Sequence, residues 1–428
     1  MNKFFAVSHV STRLHQGYGG RRKSKARIGE ITTSHGVIKT PAFAPCATKG
    51  TIKALLPSLI KEIGIQTAFV NTYHLVTHPG ADIIEKAGGI HKFSKLNIPL
   101  MSDSGGFQVF SLAKNSKARD QKFFDGKPQT AKNLVPSLFK TDQRKADVRG
   151  EEEPLVVKIS EDGVQFRSTF DGAFIEFTPE KSMEFQAKIC ADINMAFDEC
   201  ITYGSSYEYS KKATERTHHW LLRSIGQYQK SIRQLADKNQ KLYGVIQGGI
   251  YEDLRKKSAE FVVSQNTDGI AIGGVSVGES KKEMRDQISW VSDYLPKDRP
   301  VHLLGVGQID DIIDLVKYGV DTFDCSEPTR LARMGTLYKI SNIKSQITNK
   351  YQILNNKIKN EEIDITRTIY KNNLEKVDQD CDCYVCSNFT KSYLHHLFKQ
   401  REILGYTLAT YHNLWVMEKL FGRIRELI

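Results

Sequence analysis

Four short apolar segments decide the fold: LYGVIQ (242–247), GIAIGG (269–274), VHLLGV (301–306) and VDTFDC (320–325). Continuous apolar runs of this length are typical of strands that are buried on both faces, as in a parallel sheet. The stretches between them have the residue spacing of amphipathic helices, so strand and helix alternate along this part of the chain. The alternation predicts a series of βαβ units.

Four similar segments precede these: PAFAP (41–45), TAFVN (67–71), IPLMSD (98–103) and INMAFD (193–198). Eight strands that alternate with helices predict an α/β fold of the (β/α)8 type, a TIM barrel. The alternative is a doubly wound open sheet. It is disfavoured because no predicted strand is followed by a G-x-G-x-x-G turn that opens a helix. The predicted barrel helices cover residues 52–63, 209–235, 254–264, 281–294 and 309–318.

A long stretch interrupts the strand-and-helix pattern between the third and fourth predicted strands. Part of it predicts an inserted β-hairpin segment, LVVKIS (155–160), VQFRST (164–169) and AFIEFT (173–178), because the turns between these runs contain Asp-Gly pairs. The remainder, about 114–153, is rich in charged residues and is interpreted as an insertion. We therefore expect a catalytic barrel over residues 1–340 that carries this insertion.

The composition favours a cytoplasmic protein with a polyanionic partner. The chain has 428 residues, a formal net charge of +12 and a sequence pI of about 9.1. A basic surplus of this kind is typical of nucleic-acid binding. No apolar run approaches the roughly 18–20 residues of a membrane span, and the N-terminus lacks the pattern of a secretory signal. The seven sparse cysteines argue against a disulfide framework.

The predicted strands end in polar or glycine residues that would meet at the barrel mouth. These residues are Asn71, Asp103, Asp198, Gln247, Gly274 and Asp324. Active sites of α/β barrels form at the carboxyl ends of the strands. A single aspartate there could be a helix N-cap, but three together favour chemistry. Paired carboxylates suit displacement at an anomeric carbon, and a third beside an amide suits binding of a planar heterocycle. The mouth therefore indicates nucleobase glycoside chemistry.

Three closely spaced thiols predict a metal site near the C-terminus. Cys381, Cys383 and Cys386 can be joined by a histidine to make a closed, tetrahedral Cys3His zinc site of structural type. The spacing leaves His395, His396 and His412 as candidates for the fourth ligand. We expect one structural zinc per chain, in a subdomain over residues 381–428 with helices at 389–405 and 412–428. A polar linker over 341–380 would join this subdomain to the barrel.

Several segments, in this order, resemble the signature segments of tRNA-guanine transglycosylases. They are MSDSGGFQVFSL (101–112), MAFDEC (195–200), YGVIQGG (243–249), IGGVSVGE (272–279), FDCSEPTRLAR (323–333), CDCYVC (381–386), YLHHL (393–397) and HNL (412–414). The resemblance runs from about residue 26 to residue 428. It implies an enzyme that exchanges the wobble guanine of tRNAs with GUN anticodons for a 7-deazaguanine base, in queuosine biosynthesis. The implied reaction is a double displacement through a covalent enzyme–tRNA intermediate.

The resemblance also implies roles for individual residues. Asp324 matches the nucleophile, and Asp103 matches the general acid and base. The implied base-binding residues are Asp198, which holds the amino edge, Gln247 and Gly274, which contact the carbonyl, Phe107 and Leu304, which sandwich the ring, and Val275. Arg330 and Arg333 match contacts to the tRNA anticodon loop. Among the three candidate histidines, the resemblance favours His412 as the zinc ligand. It further implies a homodimer.

Some alternatives stay open at this stage. Val277, Glu279 and Cys200 resemble the bacterial pattern that takes 7-aminomethyl-7-deazaguanine, whereas queuine is the alternative incoming base.

A non-catalytic tRNA-binding partner subunit is disfavoured by the presence of both Asp103 and Asp324. A glycosidase acting on small sugars explains neither the thiols nor the charge, and a transglycosylase acting elsewhere in tRNA usually carries further RNA-binding domains. Glu327 departs from the family pattern, which more often has an apolar residue there.

Overall fold

A computed structural model describes residues 3–11, 14–17, 20–106, 155–168, 172–234, 239–340 and 362–428. Phe107 and the predicted charged insertion (114–153) lie outside the described residues, as does the first part of the predicted linker. The described strands are β1 (Phe5–Val10), β2 (Leu14–Gly17), β3 (Gly20–Lys23), β4 (Arg27–Thr33), β5 (Gly36–Thr40), β6 (Ala42–Pro45), β7 (Ala68–Val70), β8 (Leu100–Ser102), β9 (Leu155–Ile159), β10 (Val164–Arg167), β11 (Phe174–Phe177), β12 (Ile193–Met195), β13 (Lys241–Ile246), β14 (Gly269–Ile272), β15 (Val301–Leu303), β16 (Thr322–Cys325), β17 (Thr336–Tyr338) and β18 (Glu362–Asp364).

The helices alternate with the barrel strands and then continue into the C-terminal region. They are α1 (Pro57–Ile63), α2 (Thr72–Thr77), α3 (Ala81–Lys86), α4 (Ile90–Ser94), α5 (Pro179–Ile189), α6 (Tyr207–Gln234), α7 (Glu252–Ser264), α8 (Lys281–Val291), α9 (Ile309–Val316), α10 (Glu327–Arg333), α11 (Tyr384–Asn388), α12 (Lys391–Gln400) and α13 (Ile403–Leu427). The five predicted barrel helices are all present. The first begins at Pro57 rather than at residue 52, because proline is favoured at the first helical position.

Eight parallel strands form the barrel, in the order β6-β16-β15-β14-β13-β12-β8-β7. The two ends of this sheet meet where Cys46, just after β6, bridges to Phe69 in β7. The barrel prediction and all eight predicted strands are confirmed. The interior combines small and flexible side chains, such as Ala42 and Met195, with the larger rings of Phe69 and Tyr243, while the outer apolar faces pack against the helices.

An antiparallel sheet that the sequence did not predict packs against the barrel interior. Its strands are ordered β1-β4-β5, and Phe5, Ile31 and Ile38 belong to the same apolar cluster as the interior residues. The first residue of β4, Arg27, is buried and forms an ion pair of 2.5 Å with Asp321, immediately before β16. This sheet closes the barrel at the end where its strands begin, opposite the strand ends that carry the polar residues.

The inserted hairpin segment is confirmed as a three-stranded antiparallel sheet in the order β11-β10-β9. Helix α6 anchors its first turn, since Trp220 Nε1 donates a hydrogen bond of 2.7 Å to the carbonyl of Glu161. Phe166 and Phe177 pack with Phe197 and Trp220 in one aromatic cluster. Because Phe197 directly precedes Asp198, this sheet lies beside the strand end that carries Asp198.

The C-terminal region packs on α10 and on the barrel through α13. Strand β18, which lies within the stretch predicted as a linker, pairs with β17 in an antiparallel sheet. The prediction of separate helices at 389–405 and 412–428 was wrong in its bounds, because α13 begins at Ile403 and includes Gly405. A side chain at Gly405 would come within 3.1 Å of Leu397, so the glycine lets α12 and α13 approach closely. The domain boundaries stay a prediction. None of the described helices combines the length and the apolar character needed to cross a membrane.

Candidate active site

The carboxyl ends of the barrel strands surround one cavity with a volume of about 460 Å³. Residues with a predicted catalytic or binding role line it: Asp103, Asp198, Gln247, Gly274, Val275, Leu304, Asp324, Arg330 and Arg333. Cys200 and Val277 also lie on its wall. Of the predicted base and tRNA contacts, Phe107 alone falls outside the described residues. Barrel closure therefore brings together side chains that are far apart in the sequence.

The carboxylate of Asp103 is held by the neighbouring strand end. Its Oδ1 accepts hydrogen bonds from the main-chain N–H of Thr72, at 2.7 Å, and of Gly105, at 3.2 Å. The side-chain amide of Asn71 donates to Oδ2. Asn71 is itself fixed as the N-cap of α2, because its Oδ1 accepts the N–H of His74 at 3.0 Å. These contacts give Asp103 one orientation at the cavity wall.

The carboxylate of Asp324 is fixed through one of its two oxygens. Oδ1 accepts the N–H of Gly305 at 2.9 Å and lies 3.2 Å from Nε2 of the buried His302. Oδ2 has a weaker contact, since the Sγ of Cys46 lies 3.7 Å away. Oδ1 is thus fixed by two contacts, whereas Oδ2 has only a weak thiol donor. A carboxylate held in this way can present an oxygen as a nucleophile.

The thiol of Cys46 was not singled out by the sequence. Burial is the main cause that raises its pKa well above the usual value, and the negative charge of Asp324 adds to the effect. The thiol therefore stays protonated at neutral pH and can donate its hydrogen to Asp324. A cysteine one residue after a predicted barrel strand was the only available sequence signal.

Asp198 and Gln247 form a hydrogen-bonded pair on another part of the wall. Gln247 Nε2 donates to Oδ2 of Asp198 at 2.7 Å, and the hydroxyl of Ser104 donates to Oδ1 at 3.0 Å. Burial raises the pKa of Asp198 to about 6, and these two hydrogen bonds act in the opposite direction. A carboxylate next to an amide can pair with the donor and acceptor edges of a heterocyclic base.

Glycine at position 274 is required by the close approach of Gln247. Gly274 has a φ of +62°, and a Cβ there would lie 2.2 Å from Oε1 of Gln247. Both the left-handed backbone and the lack of space exclude other residues. The Gln247 Oε1 atom is buried and has no hydrogen-bond partner in the part of the chain that the structure describes. The amide side chain and the main chain of Gly274 thus share one face of the cavity.

Helix α7 supports this wall from behind. The hydroxyl of Ser258 accepts the N–H of Gln247 at 3.2 Å. Arg255 is fully buried and donates 2.6 Å hydrogen bonds to the carbonyls of Gly273 and Gly274. Sequence reasoning missed both helix residues. An arginine in a Lys- and Glu-rich helix looks like a solvent-exposed residue, and only the packing of α7 reveals its burial.

The edge of the cavity is formed by α10. Arg330 is exposed at this edge, whereas Arg333 is half-buried and donates to the carbonyl of Thr329 at 2.8 Å. Glu327, the residue that departs from the family pattern, is the first residue of α10 and accepts a 3.1 Å hydrogen bond from Nε2 of Gln308. The acidic side chain is therefore held within the protein by a neutral partner.

A second site lies in the C-terminal region, where four buried side chains can hold a metal ion. Nδ1 of His412 lies 3.9 Å from the Sγ of Cys381 and 3.4 Å from those of Cys383 and Cys386. Tetrahedral zinc with ordinary bond lengths would separate sulfur and nitrogen ligands by about 3.6 Å. His412 Nε2 lies 2.8 Å from the carbonyl of Tyr338, which leaves Nδ1 free for the metal. His395 instead contacts the carbonyl of Ile365 at 2.8 Å.

Comparison with known proteins identifies the family of this chain. The family model described as queuine tRNA-ribosyltransferase matches residues 22–131 and 147–428. The chain belongs to the queuine tRNA-ribosyltransferase family. The ranges that match this family include all eight barrel strands, the cavity residues and the Cys3His group. The unmatched residues 132–146 fall inside the predicted insertion.

Relatives in this family are similar over nearly the whole chain. The queuine tRNA-ribosyltransferase of Caldanaerobacter subterraneus is 40% identical over 406 residues, which cover 95% of this chain and 91% of that protein. The one from Aquifex aeolicus is 40% identical over 409 residues, or 95% and 93% of the two chains. The one from Psychrobacter is 38% identical over 415 residues, or 97% and 92%.

Proposed function

We propose that the protein is a tRNA-guanine transglycosylase that exchanges the wobble guanine of tRNAs with GUN anticodons for 7-aminomethyl-7-deazaguanine, in queuosine biosynthesis. Family membership supports the reaction class. The observation that carries the proposal is that Asp103 and Asp324 line the same cavity as the Asp198–Gln247 pair. Two catalytic carboxylates therefore lie next to groups that suit a nucleobase.

Asp324 is the nucleophile in the first displacement. Its carboxylate oxygen bonds to C1′ of the ribose while the C1′–N9 bond to guanine breaks, and the electron pair of that bond stays with the base. Asp103 enters this step as the protonated acid and gives its proton to the departing guanine, because an unprotonated purine anion is a poor leaving group. The contacts of Gly305 and His302 to Oδ1 of Asp324 keep the carboxylate in place as the new ester bond forms.

The second displacement reverses these steps with the incoming base. Asp103, now a carboxylate, takes the proton from N9 of the 7-deazaguanine base, and N9 attacks C1′. The ester bond to Asp324 breaks, and its electron pair returns to the carboxylate. Two inversions at C1′ give overall retention, so the modified tRNA keeps the original configuration.

The base is held by the wall opposite the nucleophile. The Asp198 carboxylate accepts N–H bonds from the amino edge, while Gln247 and the main chain of Gly274 contact the carbonyl edge. Leu304 and Val275 cover the ring. The wobble nucleotide must leave the anticodon stack to reach this cavity, as in other base-flipping enzymes. Arg330 and Arg333 at the cavity edge, together with the net charge of +12, support binding of the anticodon loop.

The Cys3His group would hold one zinc ion in a structural role. With Cys381, Cys383, Cys386 and His412 all serving as ligands, no position would be left for substrate, so the ion would stabilise the packing of α11 and α13 and take no part in catalysis. The donor set and the 3.4–3.9 Å separations support this assignment. We further expect a cytoplasmic homodimer. An aromatic surface supports association, because the exposed Tyr384 and Tyr393 both pack on Phe389.

The experiment that tests the function is capture of the covalent intermediate. Wild-type protein incubated with a substrate tRNA is expected to give a protein–RNA adduct on a denaturing gel, and Asp324→Asn is expected to give none. Asp268→Asn, at the opposite end of the barrel, is the matched control and should keep the adduct. Persistence of the adduct in Asp324→Asn would reassign the nucleophile. Absence of an adduct with the wild type would favour the non-catalytic tRNA-binding subunit instead.

A further inference from the structure

We infer that Arg255 is a positioning residue that fixes the peptide between Gly273 and Gly274 and strengthens its N–H as a donor to the carbonyl oxygen of the bound base. This inference rests on the proposed function, because it concerns the same base-binding wall. It assigns a role in base selectivity to a residue behind the wall that does not line the cavity.

The guanidinium of Arg255 is satisfied almost entirely by main-chain carbonyls. Nε donates to the carbonyl of Gly249 at 2.8 Å, and the two terminal nitrogens donate to those of Gly273 and Gly274 at 2.6 Å each. Nη2 also donates to Oε1 of Gln287 at 2.7 Å. Buried charges are usually paired with an opposite charge. Among the described residues, no carboxylate forms an ion pair with Arg255; the negative charge of Glu279 acts on it from a distance, and its direct contacts are mainly with the glycine carbonyls.

These hydrogen bonds connect two neighbouring strand ends. Gly249 follows β13, which leads to Gln247, and Gly273 and Gly274 follow β14. Both glycine segments contain left-handed backbone, with φ of +59° at Gly249 and +62° at Gly274. Glycine backbone in these conformations is otherwise weakly restrained, because it has no side chain to pack. Arg255 therefore acts as a clamp on the loops that present the base-binding groups.

The clamp also changes the strength of one donor. The carbonyl of Gly273 and the N–H of Gly274 belong to the same peptide unit, and a hydrogen bond to the carbonyl polarises the N–H. In the described part of the chain, the Gly274 N–H has no main-chain or side-chain acceptor. A fixed cation behind this peptide favours a ligand atom that carries partial negative charge, such as a carbonyl oxygen. Burial lowers the pKa of Arg255 to about 10, so the group stays cationic at neutral pH.

The test compares two competing bases in tRNA guanine exchange. Guanine carries the carbonyl oxygen, whereas 2,6-diaminopurine has an amino group at that position and no proton on N1, but keeps the 2-amino group that Asp198 binds in the proposed complex; each base is therefore compared with itself between wild type and variant. Arg255→Gln is expected to weaken inhibition by guanine about tenfold, the effect of one hydrogen bond strengthened by charge. Inhibition by 2,6-diaminopurine should hardly change, since it has no carbonyl to lose. Arg255→Lys, which keeps the charge, should give a smaller loss for guanine.

Controls separate a positioning role from a structural one. Arg299→Lys alters an arginine that is only partly buried but also donates to two main-chain carbonyls, those of Thr267 and Val263, away from the cavity. It should leave the ratio of the two inhibition constants unchanged. Gln287→Met removes one hydrogen-bond partner of Arg255 and replaces the Arg255 variants if these do not fold. It should change the ratio of the two inhibition constants in the same direction as Arg255→Gln, by a smaller factor.

If Arg255→Gln weakened inhibition by both bases equally, or weakened inhibition by neither, the proposed role of Arg255 would be overturned. Failure of the wild-type protein to exchange guanine would instead overturn the proposed function, and this inference with it. The two failures are distinguishable because the second is seen before any variant is made.

Discussion

His302 and Asp324 lie on adjacent barrel strands, and Nε2 of the imidazole is 3.2 Å from Oδ1 of the carboxylate. Nδ1 of the same ring lies 2.9 Å from the hydroxyl of Thr322. Thr322 can donate to Nδ1, which leaves the proton on Nε2 to be donated to Asp324. Phe69 stacks on the ring with centroids 5.3 Å apart. A buried and oriented histidine thus fixes the proposed nucleophile.

Replacement of His302 should slow the first displacement. In His302→Leu, Asp324 keeps only the Gly305 N–H on Oδ1, and loss of a hydrogen bond to a charged group predicts a decrease in kcat of about tenfold or more. The measurement is the single-turnover rate of adduct formation. His395→Leu is the matched control, since it removes another buried histidine, remote from the cavity. Equal rates for His302→Leu and the wild type would show that Gly305 alone positions Asp324.

The raised pKa of Asp198 predicts that activity and stability change in opposite directions as the pH is varied. Burial raises the pKa of Asp198 to about 6, so the carboxylate proposed to bind the base is lost as pH falls through 6, and the KM for the base should rise there. For stability the sign reverses. An unfolded aspartate has a pKa near 3.9, so the native carboxyl becomes progressively destabilising as pH rises from about 4 to about 6.

Asp198→Asn should therefore be inactive and more stable than the wild type at pH 8, by up to about 3 kcal/mol. The difference in the free energy of unfolding between Asp198→Asn and the wild type should disappear near pH 4. At that pH the native Asp198 carboxyl is protonated and is therefore neutral, like the asparagine. Denaturant unfolding at the two pH values measures it. A stability difference that is the same at both values would contradict the raised pKa.

Loss of the metal should destabilise the C-terminal region. Purified protein is expected to contain about one zinc per chain, and Cys383→Ser or a strong chelator should lower Tm by several degrees, because metal binding contributes folding free energy. Elemental analysis and thermal unfolding provide the measurements. Cys190→Ser, which changes a thiol at the end of α5, should keep its zinc and its Tm. If elemental analysis found no metal in the purified wild-type protein, the assignment of a zinc site would be wrong.

Val277 should decide which 7-substituted base is accepted. Its side chain lines the cavity, and its N–H is held by Oε2 of Glu279 at 2.9 Å. The 7-aminomethyl base should therefore compete better than the bulkier queuine, and Val277→Gly should reduce this preference by making room. Competition of the two bases in guanine exchange measures it, with unsubstituted guanine as the internal control. A wild-type preference for queuine would reverse the choice of incoming base.

Much of the barrel could be predicted, because buried parallel strands are continuous apolar runs that need no knowledge of their partners. The aspartates at the ends of β8, β12 and β16 were found in the same way. The antiparallel sheet β1-β4-β5 was missed, and so was the start of α13 at Ile403, since the sequence pattern does not mark where a long buried helix begins. Arg255 and His302 were missed because nothing in their local sequence distinguishes them.

Sequence alone determined the features that arise from near neighbours in the chain: the alternation of strand and helix, the Asp-Gly turns, and the three thiols within 381–386. Tertiary structure decided which distant groups become partners. It placed His412, and not His395, beside the thiols, and it stacked His35 on His91 above a shared Asp192. The physical reason is that hydrogen bonds and metal ligation require contact within a few ångströms. Only closure of the barrel and docking of α13 set those distances.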